Sequence, residues 1–240
     1  MTNPVLVALD VPSARQALAL ADSLRGEVGG YKVGLQLFSA EGPDIVRALT
    51  MRGDRVFLDL KFHDIPNTVA GAVASAGRLG AWMMNVHACG GRPMMAAARE
   101  AADRAEDSGG VRPLVIAVTV LTSMDAETLR TVSVERTPLE QVVHLAKLTQ
   151  DAGLDGVVAS PLETAAIRRA CGPDFLIVTP GIRGGSAGEA KNDQSRTMSP
   201  AEAAAAGASY LVVGRPITAA DDPRQAARAI VADSRRTTWP

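Results

Sequence analysis

The sequence predicts an α/β fold, and within that class a (β/α)₈ barrel, on three observations. Eight short runs of β-branched and apolar residues recur along the chain. Each is followed by a polar, amphipathic stretch, and several of these stretches open with helix-start chemistry. The 240 residues allow about 30 for each of eight units, the size of a barrel of roughly 250 residues. Strands that are apolar almost throughout are buried on both faces, and parallel pairing needs a crossover, here a helix. A doubly wound sheet usually needs fewer strands. No break in composition divides the chain, so residues 1–240 are read as one barrel with its active site at the C-terminal ends of the strands.

The first run, 5–9, leads into a helix opened by Ser13 and Gln16 as a capping box. Ala17, Leu20, Ala21 and Leu24 fall on one face of that helix, and Gly26 supplies a left-handed stop. The next runs are 31–35, 56–60, 82–86 and 114–118, followed by 156–159, 175–178 and 210–213. Three later helix starts share one pattern: Thr137-Pro138-Leu139-Glu140, Ser160-Pro161-Leu162-Glu163 and Ser199-Pro200-Ala201-Glu202. In each, a hydroxyl can cap orphan amides, proline suits the first helical position, and glutamate can reach back to the cap. Asp222-Pro223 opens the last helix in a similar way. Connections 122–137 and 184–199 are longer and more polar than the others. Both follow strands, where barrels carry their active sites, and are expected to act as lids.

Composition narrows the function. With 25 basic against 26 acidic side chains, the chain lacks the clustered positive charge that grips nucleic acid or an anionic membrane. Its apolar runs fall short of the roughly 20 residues that span a bilayer, and its first residues lack the pattern of a signal peptide. A soluble, cytoplasmic protein is expected, with no nucleic-acid or membrane partner. Cys89 and Cys171 are too few for a disulfide framework and are read as reduced packing residues. The pairs Met83-Met84 and Met94-Met95 are read as core filling. His63, His87 and His144 form no evident metal cluster, and Gly90-Gly91 and Gly184-Gly185 lack the spacing of a nucleotide-binding fingerprint.

Charges inside apolar strands are the informative exceptions, because a buried unpaired charge is costly. Asp10 ends the first run, Lys32 interrupts the second, and Asp59 and Lys61 end the third. Residues two apart on a strand share a face, so Asp59 and Lys61 point together, toward the barrel mouth. One such pair would be an ordinary ion pair; four charges at consecutive strand ends indicate a site. After the seventh and eighth runs, Gly181 and Gly214 permit close backbone approach where barrels often hold phosphate. Arg183 and Arg215 add forked donors suited to phosphate oxygens.

The most specific stretch is Asp59-Leu60-Lys61-Phe62-His63-Asp64-Ile65-Pro66-Asn67-Thr68. Its pattern, Asp-x-Lys-x-x-Asp-Ile-Pro-Asn-Thr, resembles the signature of the orotidine 5'-monophosphate (OMP) decarboxylase family. Further landmarks stand in order along the whole chain: Leu9-Asp10, Lys32-Val33-Gly34, Asn85-Val86-His87-Ala88, Leu121-Thr122-Ser123-Met124, Pro180-Gly181-Ile182-Arg183, Asp193-Gln194 and Val213-Gly214-Arg215-Pro216.

The resemblance implies conversion of OMP to UMP in de novo pyrimidine synthesis, by a carboxy-lyase that needs no metal or other cofactor. It implies that Lys32, Asp59 and Lys61, with Asp64 from a second subunit, form an alternating charge network around the reacting carbon. Asp10 and Lys32 would hold ribose hydroxyls, and Thr122, with Ser123 beside it, the pyrimidine edge. Ile65 and Thr68 would cross the interface of a homodimer together with Asp64. Gln194, Arg215 and Arg183 would bind the 5'-phosphate, with Gly214 beside them. Lys61, kept cationic by neighbouring carboxylates, would protonate C6.

Two alternatives stand beside this reading. A magnesium-dependent sugar-phosphate decarboxylase or synthase shares the barrel and part of the motif, but generally has an acidic ligand where this chain has Lys32. A non-catalytic phosphate-ligand binding protein would need the phosphate grip but not an intact charge network.

Overall fold

A computed structural model describes residues 3–107, 111–183 and 197–236. The strands are β1 (Val5–Ala8), β2 (Gly30–Gly34), β3 (Val56–Phe62), β4 (Met83–His87), β5 (Leu114–Val118), β6 (Gly156–Val158), β7 (Leu176–Thr179) and β8 (Tyr210–Val213). They pair in parallel and in chain order, and β8 pairs with β1 to close the barrel. Around them lie α1 (Ala14–Ser23), α2 (Leu35–Glu41), α3 (Asp44–Thr50), α4 (Pro66–Arg78), α5 (Gly91–Asp107) and α6 (Ala126–Thr131). The helices continue with α7 (Pro138–Asp151), α8 (Thr164–Cys171), α9 (Pro200–Ala205), α10 (Arg215–Thr218) at the barrel mouth, and α11 (Pro223–Ser234). The fold is the (β/α)₈ barrel that the eight runs predict.

Alternation along the strands makes two cores. Leu6, Ala8, Phe57, Met83, Ile116, Val178 and Val212 point into the barrel. Their neighbours Val5, Val7, Leu58, Met84, Val115, Ile177 and Val213 point outward and pack in the cluster that also holds Val69 and Val73 of α4 and Met94 and Met95 of α5. All four paired methionines are buried core residues, as read from the sequence. Each fully buried aliphatic side chain contributes about 1.5–3 kcal/mol, so the two layers supply most of the drive to close the ring.

Of the four capping boxes read from the sequence, two form in full, Ser13 with Gln16 makes only the serine half, and Ser160 departs from the pattern. Thr137 with Glu140 and Ser199 with Glu202 make reciprocal capping boxes. Ser13 accepts from the Gln16 amide, Asp222 accepts from the Gln225 amide, and Gly26 is left-handed at φ 79°. Ser160, however, caps only a single 3₁₀ turn, accepting from Leu162 N rather than from the amide of Glu163, and Glu163 is buried. The tighter turn lets α8 start at Thr164, whose hydroxyl donates to Ser160 O. Cys171 is buried as expected; Cys89 is exposed, so it is not a packing residue. Connection 122–137 contains α6, capped by Asp125, and is therefore more structured than a plain lid loop. Most of connection 184–199 lies outside the described residues.

On the N-terminal side of the strands, Arg168 is buried and staples two loops together. Its guanidinium donates to the carbonyls of Gly172 (2.8 Å), Pro173 (2.7 Å) and Phe175 (2.7 Å) ahead of β7. It also donates to Gly207 O (2.6 Å) and Ser209 Oγ (3.1 Å) ahead of β8. Among the described residues, no helix is long and apolar enough to cross a membrane.

Candidate active site

Inward positions that are apolar low in the barrel become charged at the C-terminal ends of β1–β3. Lys32 follows Gly30 on the inner face of β2, and Asp59 follows Phe57 on that of β3. The Lys32 ammonium lies 3.0 Å from Asp10 Oδ1 and 3.5 Å from Asp59 Oδ2, and Asp59 Oδ1 lies 2.7 Å from Lys61 Nζ. The result is a continuous alternating chain, Asp10–Lys32–Asp59–Lys61. Only 8% of Lys32 is exposed, so its charge is desolvated and the two carboxylates flanking it are required.

Gly34 makes this folding of Lys32 possible. A β-carbon at that position would stand 2.7 Å from the Lys32 ammonium and 3.2 Å from Asp10 Oδ1. A side chain there would displace the second link of the charge chain.

Burial works against ionisation of Asp59, but the charges of Lys32 and Lys61 and hydrogen bonds from Lys61 and Asn85 outweigh it, holding the carboxyl below the ordinary carboxylate range. His87, farther along the inner face of β4, has its pKa lowered by burial and then by His63 and Lys61, against the pull of Asp59. It is therefore neutral at pH 7. Asn85 is fully buried and donates to Asp59 Oδ1 at 2.7 Å. Asn85 stands among the family landmarks of the sequence without a role assigned there; an uncharged polar residue in an apolar strand is the signal that marks it.

The charge chain opens into a cavity of about 910 Å³ at the C-terminal ends of the strands. Asp10, Lys32, Asp59, Lys61, Thr122, Arg183, Gly214 and Arg215 all line it. Strands β3 and β7 stand opposite each other in the ring of eight, so Asp59 and Lys61 face the wall that carries Arg183. Gly181, left-handed at φ 79°, turns the chain after β7. There Ile182 bridges to Met198, and the Arg183 amide donates to Met198 O at 3.0 Å, which draws the two ends of the long connection together. Between the walls, Ala8, Phe57, Val118, Val158 and Val212 supply an apolar floor.

Four site residues named from the sequence do not line the cavity: Asp64, Ile65, Thr68 and Ser123. Residues 63–68 are all exposed, with Ile65 68% accessible, and Asp64 accepts from its own neighbour's amide, Ile65 N, at 2.6 Å. Gln194 lies outside the described residues. Gln36, an exposed polar residue of α2 with no signal in the sequence pattern, also lines the cavity.

The profile of the orotidine 5'-phosphate decarboxylase / HUMPS family matches residues 3–230. The chain belongs to that family. A family relative named orotidine 5'-phosphate decarboxylase from Moorella thermoacetica is 57% identical over 96% of this chain and 92% of its own. Another of that name, from Alkalilimnicola ehrlichii, is 58% identical over 91% of each. Among solved structures of the fold, an orotidine 5'-phosphate decarboxylase from Lactobacillus acidophilus superposes with a TM-score of 0.86 at 38% identity, covering 97% of this chain and 99% of that one. An uncharacterized conserved protein from Geobacillus kaustophilus gives 0.84 at 41% identity, covering 96% and 100%.

Proposed function

We propose that this chain decarboxylates OMP to UMP without a metal or other cofactor, as a soluble cytoplasmic homodimer. The observation that carries the reading is the alternating chain Asp10–Lys32–Asp59–Lys61 at one wall of the cavity, with Arg183 on the wall opposite Asp59 and Lys61. Breaking the bond from C6 to the carboxylate releases CO₂ and leaves the electron pair on C6, in the plane of the ring, where the π system cannot take it up. The Lys61 ammonium beside C6 stabilises that charge as it develops and then gives it a proton. Lys61 is left neutral and recovers its proton from water. Asp59 fixes the ammonium and places negative charge beside the substrate carboxylate.

The remaining roles follow the family pattern. Arg183, Gln194 and Arg215, with the backbone at Gly214, hold the phosphate; Asp10 and Lys32 hold ribose hydroxyls; Thr122 and Ser123 hold the pyrimidine edge. Asp64, Ile65 and Thr68 complete the site of the partner subunit, a role that suits their exposure outside their own cavity. A magnesium-dependent sugar-phosphate reaction fits less well, because the Lys32 ammonium fills the space between Asp10 and Asp59 and would repel a dication there.

The deciding assay is loss of OMP absorbance in the presence of a chelator. Undiminished turnover is expected; activity lost to the chelator and restored by magnesium would overturn the proposal. Arg215→Ala tests the phosphate grip. A charge-assisted hydrogen bond contributes about 1.5–3 kcal/mol, so OMP binding should weaken by roughly 10- to 100-fold. Binding of the nucleoside without its phosphate should hardly change. Equal losses for both ligands would assign Arg215 a structural role.

A further inference from the structure

Lys61 carries the most chemistry in the site and has an unusual backbone. Its φ is 53°, in the left-handed region that a residue with a side chain seldom enters. The cause is a break in the β3–β4 ladder. Leu58 pairs with Met84, but the next pairing joins Phe62 to Val86, so four steps of β3 span two of β4. Bulges of this kind re-aim side chains and leave backbone groups unpaired. Here the amide of Lys61 donates to Asn85 Oδ1 at 2.8 Å, and the other end of the same side chain, Nδ2, donates to Asp59 Oδ1 at 2.7 Å. That oxygen also receives Lys61 Nζ at 2.7 Å. One fully buried amide thus closes a ring through the backbone of Lys61, its ammonium and its carboxylate partner. The amide has one acceptor end and one donor end, and this network uses both; the flipped orientation would lose both bonds.

We infer that Asn85 is a positioning residue: it replaces the interrupted ladder, holds Lys61 in its left-handed conformation, and sets Asp59 with the same group, so that the ammonium stands over the cavity. Asn85 does not line the cavity, so it acts through Lys61 and Asp59. The consequence for catalysis rests on the proposed decarboxylation; the conformational role does not.

Two experiments separate these. In the first, kcat for OMP and the affinity for UMP are measured in Asn85→Ala and Asn85→Asp. A misplacement of about 1 Å costs roughly 100-fold in rate, so kcat should fall by about that factor while UMP affinity stays within about 3-fold, because the phosphate wall is untouched. Asn85→Asp keeps an acceptor for the Lys61 amide but sets a carboxylate against Asp59, and should also lose rate. If the alanine variant fails to fold, the aspartate variant decides. Near-normal kcat in a folded variant, or equal losses in kcat and affinity, would overturn the inference.

The second experiment needs no substrate and is a cycle of melting temperatures with Lys61→Gly. Glycine adopts the left-handed conformation without restraint, so Asn85→Ala should lower the melting temperature much less in the Lys61→Gly background than in the wild type. Equal decrements would show that Asn85 does not hold that backbone. If wild-type protein fails to decarboxylate OMP while the cycle shows coupling, the functional reading fails and the conformational one stands.

Discussion

Lys61→Ala is expected to remove nearly all turnover while leaving a folded protein that still binds UMP. Loss of a general acid alone typically costs about 10²- to 10⁴-fold, and loss of a group stabilising the developing charge about 10²- to 10³-fold more. A combined drop on the order of 10⁴-fold or greater follows. The fold should survive for two reasons. Alanine has the same left-handed difficulty at φ 53° as lysine, so the substitution adds no backbone strain. Asp59 also keeps Lys32 at 3.5 Å and Asn85 at 2.7 Å as partners. Ligand binding should survive because Arg183 stands on the opposite wall from β3. Single-turnover kinetics with OMP, alongside calorimetry with UMP, make the comparison. Turnover near the wild-type rate would remove Lys61 from the chemistry.

Complementation between two inactive chains should produce the largest gain. Asp64 lies outside the cavity of its own chain, and the proposed dimer assigns it to the partner's site, whereas Lys61 serves its own. In a mixed dimer of Lys61→Ala and Asp64→Ala chains, one site then has both native groups and the other has neither. Random exchange of equal amounts makes about half the dimers mixed and half of their sites intact, so activity should rise from near zero to about a quarter of wild type. The measurement is OMP turnover after the two variants are denatured and refolded together, with each refolded alone as control. No gain despite demonstrated mixed dimers would place Asp64 within its own site or outside the chemistry.

The parts of this molecule legible in the sequence are those with a period or a fixed spacing. Apolar runs about 30 residues apart give the barrel, and Thr137 with Glu140 and Ser199 with Glu202 mark helix starts because a capping box needs two residues at one spacing. Lys32 and Asp59 stand out as charges where strand burial should exclude them. What escaped depends on three-dimensional neighbours. Ser160-Pro161-Leu162-Glu163 repeats the capping pattern, yet tertiary packing takes Glu163 into the interior. Cys89 looks like a core residue by type and is exposed. The bulge at Lys61 leaves no local signature, because the two-residue alternation from Asp59 to Lys61 predicts the same face for an unbroken strand; only the register with β4 reveals it. Asn85 stands out in its strand as an uncharged polar residue, but its role does not, since its partners come from another strand.

The staple at Arg168 and the charge chain at the mouth should respond differently to acid. Asp59 is held below its ordinary pKa in the folded state, so its contribution to stability is present above the unfolded value and is lost as pH falls through the folded one. When its carboxylate takes up a proton, Lys32 and Lys61 lose their shared counter-charge. The partners of Arg168 are carbonyls and a hydroxyl, which take up no proton in that range, and an arginine stays charged throughout it. Falling pH therefore loosens the catalytic rim while the seam joining the seventh and eighth units stays fastened. Acid should abolish chemistry in a barrel that is still closed, making inactivation and unfolding separate events along a pH titration.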